Sequence, residues 1–179
     1  RRYALAGLPH GVPETASLDF HSPYGCSKGA ADQYVRDYHR IYGLRTVVLR
    51  QSCIYGEWQF GNEDQGWVAH FIMSALRKRP VTIYGDGRQV RDVLHVSDFV
   101  DAVMSAAKAI RRTAGGVYNL GGGPGRTLSL LELVRWIEFR LGRRMALRYA
   151  GWRPGDQKVY VSDIRRARRE FGWRPRVSV

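Results

Sequence analysis

From Ser22 onward, short apolar runs rich in β-branched residues alternate with longer stretches in which apolar residues recur every three or four positions. Strands and helices that alternate in this way bury their apolar faces by layering helices on a sheet, so the chain reads as α/β. Ser22 is placed to cap a helix with Pro23 in its first turn. Ala31, Tyr34, Val35, Tyr38, Ile41 and Tyr42 form one apolar stripe along it, and Gly43 stops it. Residues 46–49 carry the mark of a parallel strand buried on both faces, and they feed a polar turn at Gln51-Ser52. Beyond them the pattern predicts a helix over 67–75, a strand over 81–84 ended by Gly85-Asp86-Gly87, an extended piece over 93–96 and a helix over 98–110. A strand over 117–120, a helix over 128–141, a strand over 145–149 and a short helix over 162–171 complete the pattern.

With 179 residues and 44% hydrophobic content, a chain of this size buries roughly 70% of the surface its unfolded form exposes. One globular domain, or part of one, is expected. No run approaches the roughly 18 consecutive apolar residues of a membrane helix, and the start Arg1-Arg2-Tyr3-Ala4 carries no apolar signal core, so a cytoplasmic protein without membrane attachment is expected. Cys26 and Cys53 lie far apart without metal-type spacing, which argues for reduced structural thiols and against a zinc site. The formal net charge of +13 raises nucleic-acid binding. Its distribution argues against it: the arginines are scattered and cluster only at Arg111-Arg112, Arg143-Arg144 and 165–169, in the manner of solvated helix faces. A small phosphorylated ligand would need only two or three placed arginines.

The first residue is not Met, and positions 1–23 hold turn formers such as Gly11, Pro13 and Pro23 but no periodic element. The expectation is a chain that begins in the middle of a fold.

Tyr24 and Lys28 stand four residues apart near a helix start and therefore share a face. A tyrosine titrates near ~10 in water and acts as a base at neutral pH only where a nearby cation stabilises the phenolate. Lys28 is placed to supply that cation. Gly121-Gly122-Gly123-Pro124-Gly125 lacks the lysine of a phosphate loop and reads as a turn at a strand end, while His70 and His95 read as packing residues.

The segment from His21 to Lys28 (His-Ser-Pro-Tyr-Gly-Cys-Ser-Lys) resembles the catalytic helix start of the extended short-chain dehydrogenase/reductase family. Three further stretches resemble that family in order: Arg50-Gln51-Ser52-Cys53-Ile54-Tyr55-Gly56, the strand and turn over 81–93, and Arg153-Pro154-Gly155-Asp156. Within the family, the wording at 21–32, 64–68 and 156–161 is similar to the subgroup that epimerises C2 of a cytidine-diphosphate deoxysugar.

The resemblance implies the C-terminal part of a Rossmann-type fold with the smaller substrate-binding lobe and with the N-terminal cofactor half absent. It implies NAD as cofactor, a nucleotide-diphosphate sugar as substrate and a homo-oligomer. Tyr24 and Lys28 would be catalytic and contact the cofactor together with Gln51 and Cys53. Cys53, Tyr84, Arg91 and Arg153 would bind substrate, the two arginines through the diphosphate. Many relatives carry Asn at the position of Cys53, whereas the 2-epimerases carry a small residue there. A nucleotide-sugar 4-epimerase or 4,6-dehydratase of the same family is the alternative enzyme, and a non-catalytic sugar-nucleotide or nucleic-acid binding module the alternative of another class.

Overall fold

The computed structural model describes Tyr3, Ala4 and residues 7–179; positions 1, 2, 5 and 6, among them Arg1 and Arg2 of the N-terminal reading, lie outside the described residues. Helix α1 (Pro23–Tyr42) forms as its capping residues require. Ser22 is extended, its hydroxyl accepts the Gly25 N–H at 3.0 Å, Pro23 opens the first turn, and Gly43 closes the helix at φ 66°.

Strand β1 (Val48–Gln51) is followed, after Ser52 alone, by β2 (Cys53–Tyr55). The polar turn expected at Gln51-Ser52 is therefore a strand change. The Ser52 N–H still bonds the Leu120 carbonyl, as β1 would, while its hydroxyl donates to Asp92, which belongs to the next sheet. Helix α2 (Trp67–Leu76), β3 (Val81–Tyr84), β4 (Val90–His95), α3 (Val96–Lys108) and the single turn α4 (Ile110–Thr113) come next. Then follow β5 (Val117–Leu120), β6 (Thr127–Ser129), α5 (Leu130–Leu141), β7 (Leu147–Ala150), β8 (Val159–Tyr160) and α6 (Arg165–Phe171).

Strand β1 runs parallel to β5, β2 parallel to β4, and β3 parallel to β7. Parallel pairs joined through helices meet the α/β expectation. Two short strands, β6 and β8, escaped the sequence pattern. At the start of β4, β6 pairs antiparallel with Val90–Asp92 and β8 parallel with Val90 and Arg91, which also explains why β4 begins before the extended piece expected at 93–96. The expected helix over 128–141 starts at Leu130 because Ser129 and Glu132 form a reciprocal capping box, leaving 127–129 extended.

Alternation along β4 divides the core. Val93 points into a cluster with Val68, Phe71, Ile83 and Leu133, and Leu94 into one with Ala102, Tyr118, Leu120 and Phe171. A single strand thus carries one side chain into each of two hydrophobic centres.

Two expectations about the first units require correction. The stripe on α1 is not core: Tyr34, Ile41 and Tyr42 are each about two-thirds exposed, and the buried residues of the helix are Gly29 and Asp32. The helix docks instead through an ion pair between Asp32 and Arg50 of β1 (2.7 Å) and through the Phe20 ring lying on Gly29. Nor is β1 buried on both faces; it runs from buried Val48 to exposed Gln51, and among the described residues only β5 pairs with it.

Candidate active site

A cavity of about 870 Å³ opens between α1, the carboxyl end of β1 and the segment leading into α2; Tyr24, Lys28, Gln51, Cys53 and Asp64 are among its lining residues. Tyr24 is the second residue of α1 and Lys28 sits one turn later, so the helical repeat brings both to the same wall. The Lys28 ammonium lies 5.5 Å from the centroid of the Tyr24 ring. Among the described residues neither the Tyr24 hydroxyl nor the Lys28 ammonium has a hydrogen-bond partner, which leaves both available to a ligand. Gly29 permits the close approach of Phe20, since a Cβ there would stand 2.0 Å from the ring.

Arg50 and Asp32 form the inner wall. The Arg50 guanidinium is held on one side by Asp32 and on the other by the Glu14 carbonyl at 3.1 Å, which ties the helix bearing the Tyr–Lys pair to the strand bearing Gln51. Burial pushes the Cys53 thiol above its ordinary range, opposed in part by the nearby Arg91 charge, so Cys53 serves as a small apolar wall and not as a thiolate.

A second group stands at the rim. The Arg153 guanidinium stacks on the Tyr84 ring at 3.8 Å and pairs with Asp64 at 3.2 Å, while the Tyr84 hydroxyl donates to Glu63 at 2.8 Å. That hydrogen bond, aided by the Arg153 charge, holds the Glu63 carboxyl below its usual range. Of the residues singled out from sequence, Tyr24, Lys28, Gln51 and Cys53 share the cavity, and Tyr84 and Arg153 reach its edge through Asp64. Arg91 lies beside Cys53 and is turned onto its own strand, donating to the Val90 carbonyl at 2.9 Å.

Sequence reasoning gave no site role to Glu63, Asp64, Asp32 or Arg50, although the last three lie in stretches that carry the family resemblance. An adjacent acid pair in so basic a chain was the available signal for the first two. The ion pair of the others spans separate elements and left no local trace.

The glycine run after β5 is no phosphate cradle. It wraps the buried Asp92 carboxylate, which accepts the Gly123 N–H at 3.1 Å, and a Cβ at Gly121 would stand 2.0 Å from an Asp92 oxygen. His95 caps α3 through Ser97 and packs edge-on against Tyr55, and His70 packs against Phe71.

The lining fits a hydroxyl-rich ligand such as the ribose of a dinucleotide: a phenol and an ammonium without hydrogen-bond partners among the described residues face the cavity beside strand-end polar groups. The sequence holds no G-x-x-G-x-x-G turn for the pyrophosphate.

Parallel strands with polar groups gathered at a strand end, opposite a helix, are the architecture of α/β proteins that hold nucleotide ligands. The NAD dependent epimerase/dehydratase family matches residues 4–121, and this chain belongs to it. A CDP-paratose 2-epimerase of Salmonella typhi is 44% identical over 99% of this chain and 54% of its own length. A UDP-glucose 4-epimerase of Azospirillum brasilense is 35% identical over 97% of this chain and 54% of its own. Among solved structures, a UDP-glucuronic acid 4-epimerase from Bacillus cereus, in complex with UDP-glucuronic acid and NAD, superposes with a TM-score of 0.85 at 28% identity, over 94% of this chain and 52% of that one. The chain thus spans about half the length of the curated relatives it matches. The family is NAD-dependent, and no described helix is long and apolar enough to cross a membrane.

Proposed function

We propose that this chain, as one piece of an epimerase/dehydratase domain, supplies the substrate side of an NAD-dependent nucleotide-sugar epimerase that inverts C2 of CDP-paratose. One observation carries the choice of substrate: over nearly the same span, identity to the CDP-paratose 2-epimerase is 44%, against 35% for the UDP-glucose 4-epimerase and 33% for a dTDP-glucose 4,6-dehydratase from Xanthomonas campestris.

The chemistry NAD would supply, when bound, is acceptance of the C2 hydrogen with its electron pair as hydride and its return to C2 from the same cofactor face. Tyr24 accepts the proton of the C2 hydroxyl and gives it back once the 2-keto sugar has presented its other face. Lys28, one turn away, favours the phenolate and would bond the cofactor ribose. Gln51 and Cys53, which line the cavity at the strand end, would border the nicotinamide and the diphosphate. Arg91 and Arg153 pair with the diphosphate, Arg153 exchanging Asp64 for phosphate oxygens, and Tyr84 borders the base.

The exposed stripe of Tyr34, Tyr38, Ile41 and Tyr42 supports a homo-oligomer, since a second copy would cover it. The free thiols Cys26 and Cys53 suit a reducing, cytoplasmic setting. Incubation of the whole protein with NAD and CDP-paratose, followed by NMR of the sugar, should yield the C2 epimer. Turnover of UDP-glucose or dTDP-glucose with CDP-paratose untouched would replace this reading by a 4-epimerase or 4,6-dehydratase.

A further inference from the structure

At the end of α2 remote from the cavity, about 15 Å along the helix from Trp67, the C-termini of α2 and α5 meet where Arg143 donates to the Ala75 carbonyl at 2.6 Å. Three apolar side chains face solvent there: Phe139 is 84% exposed, Leu76 60% and Trp136 51%. Exposed Arg77, Lys78 and Arg79 follow Leu76 directly. Arg135, Phe139, Arg143 and Arg144 line an open groove of about 380 Å³, and the Arg140 guanidinium lies 5.5 Å from the Trp136 ring centroid.

The acids of α5 offset only part of this charge. Glu132 is engaged in the capping box, and Glu138, which also lines the groove, pairs with Arg144 and accepts the Met145 N–H, leaving Arg77, Lys78, Arg79, Arg135 and Arg140 without an acidic partner among the described residues. Compensation of helix dipoles accounts for cations at two C-termini, but not for aromatic rings turned to water among them. A second copy of the same face is excluded as occupant, because its cations would meet their own kind. The complementary surface must be anionic and must accept protruding apolar groups.

We propose that this face docks on an anionic phospholipid bilayer. Phe139, Trp136 and Leu76 enter the headgroup boundary, and the surrounding arginines pair with lipid phosphates. No described helix is long and apolar enough to cross a membrane, and the proposed contact is a peripheral, reversible one. Each cation beside an anionic bilayer strengthens binding about fivefold, and each inserted aromatic about tenfold or more.

Sedimentation of the full chain with vesicles tests the assignment. Binding is expected to vesicles of phosphatidylcholine mixed with phosphatidylglycerol and not to phosphatidylcholine alone. Arg77→Gln with Arg135→Gln, two side chains without a polar partner among the described residues, should weaken binding about 25-fold. Trp136→Ser with Phe139→Ser should weaken it about 100-fold or more, with the fold checked by circular dichroism. Absence of binding to the anionic vesicles overturns the proposal. So does undiminished binding by the aromatic double variant, which would reduce the effect to the general charge of the chain. Tighter binding to duplex DNA, weakened by the same substitutions, would assign the face to nucleic acid instead.

Discussion

Tyr24 shows what one side chain contributes when its neighbours are fixed by a helical repeat. Tyr24→Phe keeps the ring on which the Lys28 ammonium rests and removes only the hydroxyl. If Tyr24 is the base proposed above, kcat of the whole protein should fall by roughly 10²- to 10⁴-fold with KM nearly unchanged, because general-base catalysis acts in the transition state. Steady-state kinetics decide it, and retention of more than about a tenth of the rate removes Tyr24 from the role of base. On the proposed function, Arg153 serves substrate binding and not the chemical step. Its stacking on Tyr84 and its pairing with Asp64 hold the guanidinium at the rim before any ligand arrives. Arg153→Ala should therefore raise KM about 30- to 150-fold, the loss of one charge-assisted phosphate contact, and leave kcat comparatively intact. An unchanged KM would place the diphosphate elsewhere.

Between elements, most of the stabilising detail lies where strands and helices are pinned by single polar groups. Tyr118 of β5 packs edge-on against Phe171 of α6 and donates to Glu170 at 2.6 Å. Burial, reinforced by Glu170, pushes its phenol from 10.0 up to about 12. The folded protein therefore keeps this proton where the unfolded chain loses it, so stability falls as pH rises from 10 towards 12. Tyr118→Phe should flatten that alkaline decline in denaturant titrations at successive pH values, and an unaltered slope would exclude Tyr118 as its source. The glycine run after β5 makes a second joint of the same kind. Gly121→Ala drives a methyl group onto the buried Asp92 carboxylate, which also holds Ser52 and the Gly123 N–H. A loss of about 3 kcal/mol is expected in equilibrium unfolding, at the upper end for overpacking a tight site. A loss below about 1 kcal/mol would mean that the turn relaxes freely.

For the molecule as a whole, the 179-residue chain presents a cavity lined by Tyr24 and Lys28, and its sequence holds no G-x-x-G-x-x-G turn for a dinucleotide pyrophosphate. Calorimetry with NAD should show weak binding or none, and micromolar affinity would reveal a pyrophosphate site built from other residues. The amino-acid sequence alone determined the element types along most of the chain, because helical and strand periodicities are local and the Ser22 cap, the Gly43 stop and the Gly85-Asp86-Gly87 turn mark their ends. It also determined that Tyr24 and Lys28 share a face, since four residues make about one helical turn. Three things were decided only by tertiary structure. Strands β6 and β8 exist through pairing with β4 and are too short to carry a period. The apolar stripe of α1 faces outward because the Asp32–Arg50 ion pair and the Phe20–Gly29 contact dock the opposite side. The cluster of Glu63, Asp64, Tyr84 and Arg153 joins residues up to 90 positions apart. Local patterns report on neighbours within a turn or a pleat, whereas such encounters depend on how the whole chain closes on its two cores.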